Sequence, residues 1–277
     1  MPQIRPFRAL RFDPSAVGDV ADVLAPMPAT IDAAEHERLL ARHPANVVRV
    51  DLPEERFDDQ PDDRFRRAAR ALAEWRSGAV LHKDPHPSVY VYERLEPATT
   101  DRPERRQLGY FARLHLEALG ADSGIEATED EAAAASTDER YRLVRATGIN
   151  SRPVIGTYTD PAGETHARLA AVATRAADEE ACDDAGVRHR LWAVPADGPG
   201  GPAVEALMAP AVAGPLSLVV GRATYESAVR YRDERRMSRS CEEDPAFDYV
   251  LALLIERSDA SDAPAAAIGL VLNPHEW

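Results

Sequence analysis

The sequence contains two cysteines and one lysine, and each shortage argues against a class of protein. Cys182 and Cys241 are the only cysteines among 277 residues, and neither belongs to a CxxC pair. A disulfide-stabilised secreted scaffold is therefore not expected, and a reducing cytoplasm is the predicted location. Residues 1–6 lack the apolar core of a signal peptide, and no apolar run approaches the length of a membrane span.

Positive charge is also scarce, and Lys83 is the single lysine. The chain has 33 basic against 47 acidic residues, which gives a formal net charge of −14. Such a charge opposes non-specific binding to DNA and to anionic membranes, so neither is an expected partner. Apolar residues make up 44% of the chain, enough for a folded globular protein. A single domain spanning residues 1–277 is predicted.

The familiar catalytic motifs are missing as well. The chain has no GxxxxGK[ST], GxGxxG, HExxH or GxSxG pattern, and its eight histidines are scattered. No metal site is predicted. His189 lies between two arginines in a predicted strand and is expected to face solvent.

Hydrophobic periodicity predicts helices interspersed with strands, so the fold class is α+β or mixed α/β with a mixed sheet. Helices are predicted at 32–43, between Asp62 and Gly78, and at 137–146, 202–211 and 222–236. Strands are predicted at 46–52, 88–93, 108–117, 153–158, 188–194, 216–220, 249–255 and 268–272. The strand at 108–117 alternates strictly, which predicts one mainly buried face. Loops are predicted at 120–136, 195–202 and 258–264.

The most informative segment runs from the apolar strand 216–220 through Gly221 into the helix 222–236. A strand that delivers a glycine to a helix N-terminus places backbone N–H groups where they can hold a phosphate. Gly221, Arg222, Thr224 and Tyr225 are the predicted ligand- or phosphate-binding residues, and Glu226 is the predicted catalytic residue. The alternative is a charged amphipathic helix with only a structural role.

Several blocks, in order along almost the whole chain, resemble the bacterial domain-of-unknown-function family 1015. They begin with QIRPFRALRFD at 3–13 and HPANVVRVDLPE at 43–54. Tyr90 to Glu93, the segment from Arg140 to Ile155, and the helix residues 225–236 resemble later blocks. Segments 248–250 and 269–272 fit the family's last strands. The chain is identified as a divergent, C-terminally shortened member.

The family's glycine-containing helix is similar to that of the ParB/sulfiredoxin superfamily. The resemblance implies a helix start that faces nucleotide phosphates, with Mg²⁺, and some superfamily members are small-molecule kinases such as free-serine kinases. This second resemblance predicts a ParB/sulfiredoxin-like strand-glycine-helix element within the fold.

The polar residues of the family pattern are largely replaced. Where the family reads Asp-Gly-His-His-Arg-Tyr-Glu-Thr-Ala, residues 220–228 read Val-Gly-Arg-Ala-Thr-Tyr-Glu-Ser-Ala. A second polar block is replaced at Met27 and Ala29, and a third near Glu129. The expected function is therefore binding of a ligand or partner by a catalytically degenerate member. Two alternatives stay open: a nucleotide-dependent phosphotransferase using Arg222, Thr224 and Glu226, and a structural subunit that forms a homo-oligomer or pairs with a paralogue.

Overall fold

The predicted mixed α/β fold is confirmed by a computed structural model that describes residues 1–27, 30–128, 134–238, 243–259 and 266–275. Its helices are α1 Pro14–Val17, α2 Ala33–Arg42, α3 Val48–Asp51, α4 Asp63–Ser77, α5 Ala134–Thr147, α6 Glu164–Val172, α7 Gly201–Ala213 and α8 Arg222–Ser238. Short 3-10 turns lie at Val20–Asp22, Gly198–Gly200 and Ala246–Asp248.

The strands form one large mixed sheet and two small antiparallel pairs. They are β1 Ile4–Arg5, β2 Leu10–Phe12, β3 Leu81–Lys83, β4 Ser88–Glu96, β5 Arg105–His115, β6 Ile125–Ala127, β7 Ile149–Asn150, β8 Val154–Tyr158, β9 Glu179–Cys182, β10 Arg188–Pro195, β11 Leu216–Val220, β12 Tyr249–Glu256 and β13 Asn273–Pro274. The main sheet has the order β6-β11-β8-β12-β5-β4-β10-β9, and β1 pairs with β5. Its β6–β11 and β8–β12 pairs are parallel, and its other pairs are antiparallel.

Helices cover both faces of this sheet, which explains why its central strands are buried on both sides. Along β12, Leu251, Leu253 and Ile255 belong to one hydrophobic cluster, whereas the intervening Val250, Ala252 and Leu254 belong to another. The first cluster includes side chains of α2, α3 and α4, and the second includes side chains of α6, α7 and α8. The prediction of one mainly buried face for the strand at 108–117 is therefore wrong, since both faces of β5 are covered.

The strand predicted at 46–52 is a second error, because this segment contains the short helix α3. The side-chain oxygen of Asn46 accepts a hydrogen bond from the amide of Val48 at 3.0 Å, and its Nδ2 donates to the carbonyls of Asp22 and Leu24. Val47, Val48 and Val50 are all fully buried. Packing and the hydrogen bonds of the Asn46 side chain thus override the β propensity of the valines.

The last predicted strand, 268–272, is reduced to isolated bridges at its ends, from Ile268 to Ala25 and from Leu272 to Leu10. Gly269 has φ +103, and a Cβ there would lie 3.2 Å from side-chain atoms of Leu24 and Val47, so a glycine in a non-strand conformation interrupts regular pairing. The predicted loop 120–136 contains β6 and the start of α5, while its residues 129–133 lie outside the described ranges. The predicted loop 195–202 contains a 3-10 turn and the first residues of α7.

None of the helices in the described ranges is long and apolar enough to cross a membrane.

Candidate functional site

The junction between β11 and α8 has the predicted strand-glycine-helix form. β11 lies inside the sheet between β6 and β8, and Gly221 alone separates its last residue, Val220, from the start of α8. Gly221 has φ +97, and a Cβ there would lie 3.1 Å from the Cα of Val154. Both the backbone conformation and this close approach require glycine. The junction therefore confirms the element itself, whereas its likeness to ParB and sulfiredoxin stays a prediction.

The first turn of α8 offers backbone N–H donors but contains no acidic side chain. The amide of Tyr225 donates to the carbonyl of Gly221 at 2.9 Å. The amides of residues 222–224 therefore lie ahead of the hydrogen bonds within the helix. With the helix dipole, such amides favour an anion. Val220 packs against a hydrophobic cluster, at the position where the family pattern has an acid.

Arg222 and Glu226 form an ion pair across one turn of α8. The Nε of Arg222 lies 2.8 Å from Oε1 of Glu226, and each side chain is about one-quarter exposed, at 25% and 28%. The hydroxyl of Thr137, on α5, donates to the other Glu226 oxygen at 3.4 Å. The predicted catalytic carboxylate thus lies at the α5–α8 contact and is engaged with protein groups.

Thr224 and Tyr225, the other predicted ligand-binding side chains, point toward the protein interior. Thr224 is buried, and its carbonyl accepts a hydrogen bond from the hydroxyl of Ser227. The hydroxyl of Tyr225 accepts from the amide of Glu117 and donates to its carbonyl, both at 2.9 Å. Burial is the main cause that raises the pKa of Tyr225 to about 12. Tyr225 therefore anchors α8 to the end of β5.

The donor set does not fit a magnesium ion. Across the described part of the chain, no group of three or more His, Cys, Asp and Glu side chains could hold a metal ion. Glu226 is the one carboxylate among the predicted site residues, and Arg222 already neutralises it. Of the two other replaced blocks, Met27 packs against the same hydrophobic cluster as Val220, whereas Ala29 and Glu129 lie outside the described residues.

A buried ionic network joins α3, α5 and the start of β8. The carboxylate of Asp51 accepts from Arg152 at 2.6 Å, from Ser151 at 2.7 Å and from Arg140 at 3.2 Å. Beside it, the Asn150 side-chain oxygen accepts from Asn273 and His275, each at 2.9 Å. Sequence analysis did not assign these residues a role. The available signal was that Asp51, Arg140 and Asn150 all lie in the blocks that resemble the family.

A second buried network, also missed, links β2 to the sheet edge. Arg11 binds the carboxylates of Asp84 at 2.8 Å and Glu179 at 2.6 Å, and the hydroxyl of Tyr90 donates to Asp84 at 2.7 Å. Burial raises the pKa of Glu179 to about 7, although Arg11 opposes the shift. These residues come from segments up to 168 positions apart, so sequence proximity gives no indication of the cluster.

His189 is buried rather than solvent-facing, which corrects the prediction made from its two arginine neighbours. Its Nδ1 lies 2.7 Å from the hydroxyl of Tyr92, and its Nε2 lies 3.3 Å from Asp183. Because β10 lies between β4 and β9, alternate side chains along it pack under the N-terminal segment. Period two placed the arginines outward and His189 inward.

A protein-family model described as "Protein of unknown function (DUF1015)" matches residues 4–261 of the chain. Comparison with curated proteins and with solved structures finds no match.

Proposed function

The chain belongs to the DUF1015 family of proteins of unknown function, and we propose that it is a catalytically degenerate member that binds an anionic ligand at the start of α8. The observation that carries the proposal is the ion pair between Arg222 and Glu226. This pair holds the Arg222 guanidinium beside the helix amides and occupies the carboxylate that phosphoryl transfer would need as a base.

A phosphate or nucleotide phosphate is the ligand class that fits this turn. Gly221, with φ +97, turns the backbone from β11 into α8, and the first-turn amides with the helix dipole favour negative charge. Arg222 is only 25% exposed, so its charge is held at the helix start rather than extended into solvent. A guanidinium matches the geometry of a phosphate. A bound phosphate would compete with Glu226 for the Arg222 guanidinium.

The alternative function is phosphoryl transfer to a small hydroxylated substrate, with Glu226 as the base. The 28% exposure of the Glu226 side chain is the observation in its favour. Phosphoryl transfer also needs groups that neutralise the developing charge and place a metal or a nucleophile. Val220 and Ala223 supply neither, so binding without catalysis is the better-supported function. The third alternative, a structural subunit of a homo-oligomer or paralogue complex, needs no ligand.

The decisive experiment combines a binding measurement with a turnover measurement on the purified chain. Thermal unfolding is followed with inorganic pyrophosphate, ATP, ADP and CTP, with and without Mg²⁺, and phosphoryl transfer to free serine is assayed in parallel. A bound ligand at about 100 times its dissociation constant should stabilise the fold by about 2.7 kcal/mol. We expect this stabilisation for at least one phosphate compound and no turnover above background.

Arg222→Ala and Glu226→Ala test whether the effect belongs to this turn. Arg168→Ala is the matched control, because Arg168 forms a similar i,i+4 ion pair with Glu164 at 2.7 Å on α6. Binding should be lost in Arg222→Ala and retained in the control. Turnover that falls in Glu226→Ala would establish the phosphotransferase instead. An absence of stabilisation by every phosphate compound, with a stable oligomer in sedimentation, would favour the structural subunit.

The cysteine content also leads us to propose a cytoplasmic location, which fractionation of the native host would test.

A further inference from the structure

A cavity of about 420 Å³ lies on the face of the sheet opposite to α7, between α2, the β9–β10 turn and the N-terminal segment. Much of its wall is small and apolar, with Ala21, Ala181, Ala266 and Ala267 beside Leu24 and Leu39. Alanine side chains leave this volume unfilled where larger residues would close it. The space suits a compact molecule with an apolar body.

His189 provides a polar end to this apolar cavity, and its hydrogen bonds fix its tautomer. Burial raises the pKa of Tyr92, so its hydroxyl stays protonated, and the amide of Ala267 donates to its oxygen. The ionised carboxylate of Asp183, 3.3 Å from Nε2 of His189, can only accept, so the Tyr92 hydroxyl donates to Nδ1, 2.7 Å away. It follows that a neutral His189 carries its proton on Nε2.

Asp183 places an acceptor beside this Nε2 donor. Its Oδ1 accepts from the amides of Ala185 and Val187, both at 2.9 Å, and these contacts fix the carboxylate in the β9–β10 turn. Burial alone would raise the pKa of Asp183, but the hydrogen bonds from His189 and the turn amides lower it, so the group is ionised. Its contact with Nε2 is long, at 3.3 Å. A donor and an acceptor thus stand side by side without a tight bond between them.

The charged residues around the cavity balance one another. Three arginines (Arg38, Arg42 and Arg94) and three acids (Glu35, Asp183 and Asp184) line it. Arg38 and Arg42 both bind Asp184, at 2.5 Å and 2.8 Å, which connects α2 to the β9–β10 turn across the rim. A ligand carboxylate would find all three arginines already paired with acids, so its burial would be costly.

From these features we propose that the cavity binds an uncharged ring compound with a carboxamide or lactam edge. The carbonyl of such an edge accepts from Nε2 of His189, and its N–H donates to Asp183, while the ring lies against the alanines. The cavity contains no residue of the α8 turn, so a failure of this proposal and a failure of the function proposed above can be told apart.

The test uses three compounds of nearly the same shape that differ in charge: benzamide, benzoate and benzamidine. Each is titrated into the ¹⁵N-labelled full chain, and the imidazole resonances are followed by NMR, with His189 assigned by loss of its signals in His189→Gln. Benzamide should shift the His189 Nε2 resonance saturably. Benzoate should bind at least about tenfold more weakly because Asp183 repels its carboxylate, and benzamidine because its amidinium offers His189 no acceptor and sets N–H against the Nε2–H.

Variants that fill the cavity provide the specificity control. Ala181→Leu adds volume at the buried wall, and Ala185→Leu does so at an exposed lining position where folding is less at risk. Each should weaken benzamide binding at least about tenfold, whereas Ala146→Leu, beside a separate depression near α4, should leave it within about twofold. The proposal is wrong if benzamide causes no saturable shift, if the charged compounds bind equally well, or if both filled variants bind like the wild type.

Discussion

Neutralising the buried Asp51 should destabilise the fold more than neutralising an exposed carboxylate such as Asp138. Asp51 is 1% exposed and is the common acceptor for Arg140, Ser151 and Arg152. Arg140 also donates to the Asp51 backbone carbonyl at 3.0 Å. In Asp51→Asn both arginines would stay beside an uncharged amide. The loss of one partner from a buried ionic network typically costs about 3–5 kcal/mol, so we expect a loss of that size at neutral pH.

The pKa of Asp51 gives the same direction. Burial alone would raise it, but Arg152 and Arg140 lower it from 3.8 to about 2. A shift of this size corresponds to roughly 2–3 kcal/mol of differential stabilisation. Because the pKa is lower in the folded state, this contribution is fully present above the ordinary value and is lost as the pH falls from about 4 to about 2. The wild type and Asp51→Asn should therefore converge in acid.

Urea unfolding at several pH values measures both effects. Asp138→Asn is the control, since Asp138 also contacts two arginines, at 2.9 Å and 3.6 Å, but its side chain is 48% exposed. An exposed pair contributes at most about 1 kcal/mol. If Asp51→Asn lost no more stability than Asp138→Asn, or if its difference from the wild type did not narrow in acid, the buried network would not carry the energy assigned to it.

Three further predictions concern the α8 junction and the surface charge. Gly221→Ala should lose about 1–3 kcal/mol in urea unfolding because of its φ of +97, whereas Gly214→Ala, with φ −123, should not; equal effects would contradict the strain. Tyr225→Phe should lose about 1–3 kcal/mol because it removes both hydrogen bonds to Glu117, and Tyr141→Phe, at a part-buried contact with Glu234, should lose less. Duplex DNA should bind more weakly than about 10⁻⁶ M near physiological salt, since the net charge is −14, and tighter binding in a gel-shift assay would contradict this.

The elements that sequence predicted well are those with a strong local pattern. The apolar strand before Gly221 and the amphipathic helix after it are β11 and α8, and the predicted helix between Asp62 and Gly78 is α4. In each case a long periodic segment is bounded by a residue that favours a boundary. Asp62 lies at the N-cap position of α4, although its side chain makes no capping hydrogen bond and its φ is 74.

The errors arise where distant segments decide the outcome. Whether residues 46–52 form a strand depends on an available partner strand, and the side chain of Asn46 instead bonds the carbonyls of Asp22 and Leu24. Whether His189 is buried depends on the N-terminal segment that covers β10. Neither neighbour can be inferred from the local pattern, because long-range packing overrides β propensity.

The candidate site shows the same division. The predicted site residues lie within six positions at the start of α8, so the helix alone brings them together: Gly221, Arg222, Thr224, Tyr225 and Glu226. The buried networks around Asp51 and Arg11, and the cavity beside His189, are assembled from segments far apart in the chain. Single-sequence reasoning could identify their residue types but could not place them in contact.

The family residues retained at the start of α8 are those that the fold itself requires. Gly221 is held by its backbone conformation and its approach to Val154, Tyr225 is bonded to Glu117, and Ala228 is buried in the core. Glu226 is paired with Arg222, a residue that differs from the family pattern. Of the replaced positions, Val220 packs against a hydrophobic cluster and Thr224 is buried. Stability alone therefore accounts for the retained residues, so their retention is not an argument for a catalytic role.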